Sequence, residues 1–193
     1  MLVPKRSIKI LDFDIENRPL SYWIPDRPTA EITAIASCWT HDIGSMQVHL
    51  LGLDDPTHML LSFITRYNEA DMVTGHYIRK HDLPIINGAL MEFNLPILLP
   101  KLTCDTKLDM KKKSDIPATQ EFLLEMLNVL DEDGNRLQKL HMSQSDWREG
   151  NRLTLEGLRK TKARAADDVY DHMRLRLKMQ ELGLLRSPKM WFA

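Results

Sequence analysis

The sequence predicts a mixed α/β fold in which a five-stranded sheet is flanked by helices. The prediction depends on the order of the elements, which is a strand, a hairpin of two strands, and then helices alternating with two further strands. It also depends on length, because 193 residues are enough for one domain with a sizeable core. We therefore predict a single domain over residues 1–193.

Five short apolar segments are predicted to be strands, and turn-forming residues separate them. In chain order they cover residues 8–16, 31–39, 45–51, 71–75 and 99–106. A short turn at 41–44 separates the second and third, which favours an antiparallel hairpin beside the first strand. Three prolines between the first two strands predict an extended loop over residues 18–28.

Four segments carry apolar residues at helical spacing. They cover residues 56–67, 83–93, 119–130 and 155–182. The first helix is predicted to begin at Asp55-Pro56, because an N-cap aspartate is followed there by proline at the first helical position. Gly88 weakens the second helix by about 1 kcal/mol relative to alanine. The fourth helix dominates the C-terminal third of the chain.

The composition is that of a soluble globular protein, with 43% hydrophobic and 27% charged residues. The net charge of −1 gives no overall basic field, so nucleic-acid binding would need local patches. Cys38 and Cys104 lack zinc-site spacing, which favours two buried thiols in a reducing compartment. There is no bilayer-spanning apolar run and no signal-peptide core. We expect a cytoplasmic protein with no membrane partner, in the host cytoplasm if the chain is viral.

The first predicted strand carries three carboxylates at alternate positions, Asp12, Asp14 and Glu16. Alternate side chains of a strand share one face, so these acids would line one side of a buried strand. Like charges this close raise one another's pKa values unless a cation lies between them. The pattern therefore indicates half of a metal site, although pairing of Asp14 and Glu16 with arginines is the alternative.

Two further acidic segments follow along the chain. Residues 75–84 read Gly-His-Tyr-Ile-Arg-Lys-His-Asp-Leu-Pro, and Asp168-Val169 lies in the long predicted helix. Together with Phe13-Asp14-Ile15-Glu16, these segments resemble the DEDD superfamily of 3′–5′ exonucleases, and most closely the exonuclease domains of B-family DNA polymerases. The chain also resembles small stand-alone bacteriophage proteins of this type. The order of elements fits the ribonuclease H-like fold of that superfamily.

The resemblance implies two divalent ions, Mg²⁺ or Mn²⁺, and no other cofactor. Hard cations of this kind prefer carboxylate oxygens. By resemblance, Asp14 would bridge both ions, Glu16 and Asp168 would hold the ion on the nucleophile side, and Asp82 would hold the other. These four residues are the predicted catalytic and metal-binding set.

Substrate contacts are predicted from two other segments. His76 and Tyr77 could stack on or hydrogen-bond to the terminal nucleotide, and packing is the alternative. Lys162 and Arg164 could follow a phosphate backbone, and an exposed helix face is the alternative. Asp82 could also be only a helix N-cap, and Asp168 only a surface residue of a charged helix.

The sequence departs from the family pattern at the general base. The superfamily places a tyrosine four residues, or a histidine five residues, before the last aspartate. Those positions hold Arg164 and Ala163 here. His172 lies one helical turn after Asp168 and could face the same site. Because a general base typically contributes 10²–10⁴-fold, its loss predicts a slow enzyme.

These observations predict a metal-dependent 3′–5′ exonuclease that acts on single-stranded nucleic-acid ends, with DNA favoured over RNA. A replication protein is a candidate partner. The alternative is a weakly active or inactive nuclease-fold protein that binds nucleic acid or a protein partner. A third hypothesis, a structure-selective endonuclease, differs in that it would cleave a circular single strand.

Overall fold

A six-stranded mixed sheet forms the centre of the protein. The structure is a computed structural model, and it describes residues 7–19, 30–111 and 115–193. Most of the predicted loop over residues 18–28 lies outside this range. The strands, in chain order, are β1 (Ile10–Pro19), β2 (Ala30–Trp39), β3 (Asp42–Leu50), β4 (Met72–Gly75), β5 (Lys101–Asp105) and β6 (Lys189–Trp191).

The spatial order of the strands is β3-β2-β1-β4-β5-β6. The first three strands pair antiparallel, as the predicted hairpin requires. β4 pairs parallel with β1, and β5 pairs parallel with β4. β6 pairs antiparallel with β5 and extends the five predicted strands by one.

Six helices flank the sheet in the described part of the chain. They are α1 (Pro56–Glu69), α2 (Asp82–Glu92), α3 (Thr106–Lys111), α4 (Gln120–Met126), α5 (Gln144–Asn151) and α6 (Leu155–Glu181). α1 begins as the sequence predicts, because the Asp55 side chain accepts a hydrogen bond from the backbone N–H of His58 and Pro56 follows the cap.

Several predicted boundaries differ from the structure by a few residues, among them those of β1 and β3. Two other differences have a local structural cause. The helix predicted over 119–130 ends as α4 at Met126, because Asn128 adopts a left-handed backbone with φ +47°. The strand predicted over 99–106 ends at Asp105, and Thr106 begins α3. α3, α5 and β6 are short elements that the sequence patterns do not predict.

The two faces of β1 bury different kinds of side chain. Leu11, Phe13 and Ile15 belong to a core cluster with apolar residues of α1 and α2. On the other face of the sheet, α6 packs on β1, β2 and β3. Ala34 and Ala36 pack there against Ala165 and Val169 of α6, while acidic residues of β1 occupy the adjacent positions. The acidic strand face is therefore covered by the long helix.

Candidate metal centre

The alternation of β1 places Asp14 and Glu16 beneath α6. Asp14 is paired in register with Ala36, and Glu16 with Ala34. Both side chains are half-buried. A register shift between Glu16 and Asn17 marks a β-bulge directly after the two acids. Bulges often adjoin active sites, where they change the direction of neighbouring side chains.

Asp168 of α6 completes a compact acidic group with these two residues. One carboxylate oxygen from each of Asp14, Glu16 and Asp168 lies within 4.8 Å of the others. Asp168 is only 5% exposed, so it is not a surface residue of a charged helix. We call these three residues the acidic centre, and it can hold a metal ion.

Asp82 reaches the acidic centre from α2. Its Oδ1 accepts a hydrogen bond from the backbone N–H of Ile15 at 3.3 Å, and its side chain is buried. The helix N-cap position is occupied by His81, so the interpretation of Asp82 as an N-cap is wrong. The carboxylate instead joins the start of α2 to the strand that carries Asp14.

The chain between β4 and Asp82 is positioned by a close approach of β4 to β1. A Cβ atom on Gly75 would lie 2.2 Å from Ile78 Cγ2 and 2.8 Å from the carbonyl oxygen of Phe13. A larger residue there would push the chain away from β1. Gly75 is thus required by packing at the point where the chain leaves β4 for Asp82.

The electrostatics of the acidic centre disfavour three bare carboxylates. Burial, followed by the charges of Asp82, Glu16 and Asp168, raises the pKa of Asp14 well above its ordinary value. Burial and the charge of Asp168 raise the pKa of Glu16 to about 7. No ion pair joins Asp14 or Glu16 to an arginine or lysine within the described part of the chain, contrary to the arginine-pairing alternative. A bound cation would offset this repulsion.

Two cations lie on the Asp168 side of the centre. The Lys139 Nζ is 3.4 Å from Asp168 Oδ1, and the Arg164 Nε is 2.9 Å from Asp168 Oδ2. Burial raises the pKa of Asp168, while both cations act to lower it. Arg164 also donates a hydrogen bond to the carbonyl oxygen of Leu140. Sequence reasoning placed Arg164 near the site but missed Lys139, which arrives from an irregular segment between α4 and α5.

Asp12 has a different role from the other two acids of β1. Its carboxylate accepts hydrogen bonds from Arg176 Nε and Nη2 at 3.1 and 3.3 Å, and another from the Thr40 hydroxyl. His172 Nδ1 lies 3.3 Å from Asp12 Oδ1. His172 therefore faces Asp12, so the idea that it could face the metal site is wrong.

The other predicted substrate contacts have different surroundings. The His76 Nδ1 lies 2.9 Å from the Thr106 hydroxyl, and burial lowers its pKa to about 3. Tyr77 has a left-handed backbone (φ +82°) and donates its N–H to Asp105 Oδ1 at 3.1 Å. Lys162 is exposed on α6. A neutral His76 could contact a base, and the part it plays stays a prediction.

Comparison with solved structures identifies a similar fold. A family B DNA polymerase from the hyperthermophilic archaeon Pyrobaculum calidifontis aligns with a TM-score of 0.65 and 16% sequence identity. The fold is ribonuclease H-like. The alignment covers 93% of this chain and 25% of the polymerase, so the chain spans about a quarter of the length of that protein. The comparison confirms the predicted fold class.

No protein-family model matches the chain, and no curated protein is significantly similar to it. Among the described residues, no helix has the length and apolar content needed to cross a membrane.

Proposed function

We propose that this protein is a metal-dependent 3′–5′ exonuclease that hydrolyses phosphodiester bonds at single-stranded nucleic-acid ends, with DNA favoured. The observation that carries the proposal is the convergence of Asp14, Glu16 and Asp168, with oxygens within 4.8 Å of one another. Asp82 supports it from a third element, α2, by accepting a hydrogen bond from the backbone of β1. A ribonuclease H-like fold similar to part of a DNA polymerase is compatible with nucleic acid as the substrate.

The donor set fits hard divalent cations. All four acidic side chains offer oxygen, and Mg²⁺ and Mn²⁺ prefer such ligands. The raised pKa of Asp14 is a further sign of fit, because a cation would stabilise the ionised form that burial disfavours. Asp14, Glu16 and Asp168 would hold one ion and Asp82 would contribute to a second. Bound ions of this kind activate water and stabilise the leaving 3′-oxygen.

Lys139 and Arg164 are the candidate residues for contact with the phosphate of the substrate. Both cations pair with Asp168. If Asp168 held a metal ion, the two side chains would be free to contact phosphate oxygens of the substrate. A guanidinium is suited to this task because its planar donors match a phosphate bidentately. Arg164 would therefore stabilise charge, and it would not accept a proton.

The missing base predicts slow hydrolysis. A guanidinium has donors and no acceptor atom, so Arg164 cannot replace the family tyrosine as a proton acceptor. Activation of water by metal ions is a separate contribution and survives this loss. We expect a rate reduced by about 10²–10⁴-fold relative to an enzyme with the base.

A second candidate function is an inactive nuclease fold that binds nucleic acid or a protein partner. The ion pairs of Arg164 and Lys139 with Asp168 favour it, because these cations compete with a metal ion for the same carboxylate. On this hypothesis nucleic-acid ends would be bound but not cut. It makes the opposite prediction about hydrolysis in the presence of Mn²⁺.

The deciding experiment is an assay with Mn²⁺ on 3′-labelled single-stranded DNA and RNA, run with and without EDTA. The proposal predicts metal-dependent release of the labelled 3′ nucleotide, which the Asp14→Ala, Glu16→Ala double variant abolishes. Glu92→Ala, which removes an exposed acid at the far end of α2, is the matched control and should retain activity. Undiminished hydrolysis by the double variant would overturn the proposal, and cleavage of a circular strand would indicate an endonuclease.

A further inference from the structure

Two histidines and an aspartate converge at the junction of β3 and α1. One ligand atom from each of His49, Asp54 and His58 lies within 4.8 Å of the other two. His49 and Asp54 are half-buried and His58 is exposed, so solvent can reach the group. We call these three residues the histidine cluster.

The histidine cluster lies on the opposite face of the sheet from the acidic centre. His49 pairs in register with Ile35, whose side chain belongs to the core beneath α1. Asp14 pairs with Ala36, whose side chain belongs to the core beneath α6. Since adjacent residues of a strand point to opposite faces, the two groups cannot hold the same metal ion.

The backbone around the cluster is fixed by local hydrogen bonds. The N–H groups of Leu53 and Asp54 both donate to the carbonyl oxygen of Leu50, at 3.1 and 2.8 Å. Gly52 permits this tight turn because its φ is +93°. Asp55 then caps α1 by accepting from His58 N–H at 3.1 Å. His49 at the end of β3, Asp54 in this turn and His58 in the first turn of α1 are thus held by one short hydrogen-bonded segment.

Hydrogen bonds orient two side chains of the cluster, those of His49 and Asp54. The Ser62 hydroxyl lies 2.9 Å from His49 Nε2, and the backbone N–H of Leu50 donates to Asp54 Oδ2 at 2.8 Å. When the Nε2 proton is shared with Ser62, the lone pair of His49 is on Nδ1, on the side of Asp54. Contacts of this kind hold the ligands of metal sites in place.

The spacing between the side chains suits a metal ion better than a direct bond. His49 Nδ1 and Asp54 Oδ2 are 3.7 Å apart, which is too long for a hydrogen bond. Two ligands of one tetrahedral zinc, each about 2.0 Å from the ion, lie about 3.3 Å apart. The His58 ring stands edge-on to the His49 ring, with 5.5 Å between ring centroids. It provides the third ligand of the cluster.

We propose that His49, Asp54 and His58 bind a transition-metal ion of the zinc class. Imidazole nitrogen suits Zn²⁺, Co²⁺ and Ni²⁺, whereas Mg²⁺ prefers oxygen, so this site selects a different metal from the acidic centre. Three protein ligands leave a fourth position for water. Because the ligands join β3 to α1, the bound metal stabilises the folded state by mass action.

The test is zinc titration of the full chain carrying Asp14→Asn and Glu16→Gln, so that the acidic centre does not contribute. Competition with a chromophoric chelator should show one Zn²⁺ per chain. Adding His58→Ala should weaken binding by about tenfold or more, because a ligand is lost. Adding His141→Ala, which removes an exposed histidine from another part of the surface, should leave binding unchanged.

A second readout needs no histidine variant. Long-range ¹H–¹⁵N spectra of the imidazoles should show the ring nitrogens of His49 and His58 shifting on addition of one equivalent of Zn²⁺, while those of His141 stay in place. Equal affinities in the His58→Ala and His141→Ala chains, or unshifted His49 and His58 resonances at saturating Zn²⁺, would overturn the proposal. Neither outcome bears on nuclease activity, because the acidic centre is disabled throughout.

Discussion

Asp12 and Asp14 lie two residues apart on the same face of β1, yet their surroundings are opposite. Asp12 meets Arg176, Thr40 and His172, and although burial alone would raise its pKa, Arg176 and His172 outweigh burial and hold it below the usual value. Asp14 meets other acids, and its pKa is raised well above the usual value.

The difference shows that strand position and residue type do not by themselves define a functional carboxylate. Asp12 is satisfied by protein groups and so stabilises the fold. Asp14 forms no ion pair within the described residues, and the charge of Lys139 only partly opposes the repulsion from its acidic neighbours. The partners of an acid, rather than its place in a motif, separate the structural residue from the candidate metal ligand.

The largest effect on stability is expected at Asp12. The Asp12→Ala substitution leaves Arg176, which is 2% exposed, buried without its carboxylate partner. Breaking a buried ion pair in this way costs about 3–5 kcal/mol. Asp14→Asn removes a repulsive charge and should leave the free energy of unfolding of the metal-free protein equal or higher. Urea unfolding in EDTA measures both, and an equal loss in the two variants would refute the contrast.

The second expected effect is a difference in the pH dependence of stability. The pKa of Glu16 is raised from 4.5 to about 7 in the folded state, so between these values the folded protein keeps a proton that the unfolded chain releases. Stability without metal should therefore rise by up to about 3 kcal/mol as the pH falls through this window. The lowered pKa of Asp12 acts in the opposite sense, because its stabilisation is lost only as the pH falls below 3.8.

The measurement compares the wild type with Glu16→Gln in EDTA, by urea unfolding at several pH values between about 5 and 8. Glu16→Gln should flatten the dependence, and Glu92→Gln should not. A wild-type and a Glu16→Gln profile of equal slope would show that Glu16 is not perturbed in the folded state.

The smallest expected effect concerns the cations beside Asp168. Lys139→Met removes a positive charge 3.4 Å from a carboxylate oxygen of the acidic centre. Since that charge repels a divalent ion, the variant should bind Mn²⁺ about two- to tenfold more tightly. Calorimetric titration measures this change, with Lys162→Met as the exposed control. Weaker binding by Lys139→Met would mean that Lys139 supports the site instead of competing for it.

The sequence was sufficient for the fold class and for the acids of β1. Alternation along a single strand is a local pattern, so Asp14 and Glu16 could be placed on one face from their spacing alone. The position of Asp168 depended on the family resemblance, because its approach to β1 is decided by how a 27-residue helix crosses the sheet.

Features that depend on tertiary contacts could not be predicted. Lys139 reaches Asp168 from a segment without regular structure, and no local pattern marks it. β6 has only three residues and is held partly by the Thr103 hydroxyl, which donates to the carbonyl oxygen of Lys189. The contact between His172 and Asp12 likewise depends on how α6 is rotated about its own axis. Helical spacing in the sequence does not determine that rotation closely enough to predict the contact.

The most direct test of the proposed metal centre is anomalous diffraction from crystals soaked in Mn²⁺. We expect two peaks about 3.5–4 Å apart, the first among the oxygens of Asp14, Glu16 and Asp168 and the second toward Asp82. Arg164 and Lys139 should then have moved away from Asp168. Absence of any peak at these carboxylates, with both cations still paired to Asp168 at saturating Mn²⁺, would contradict the account.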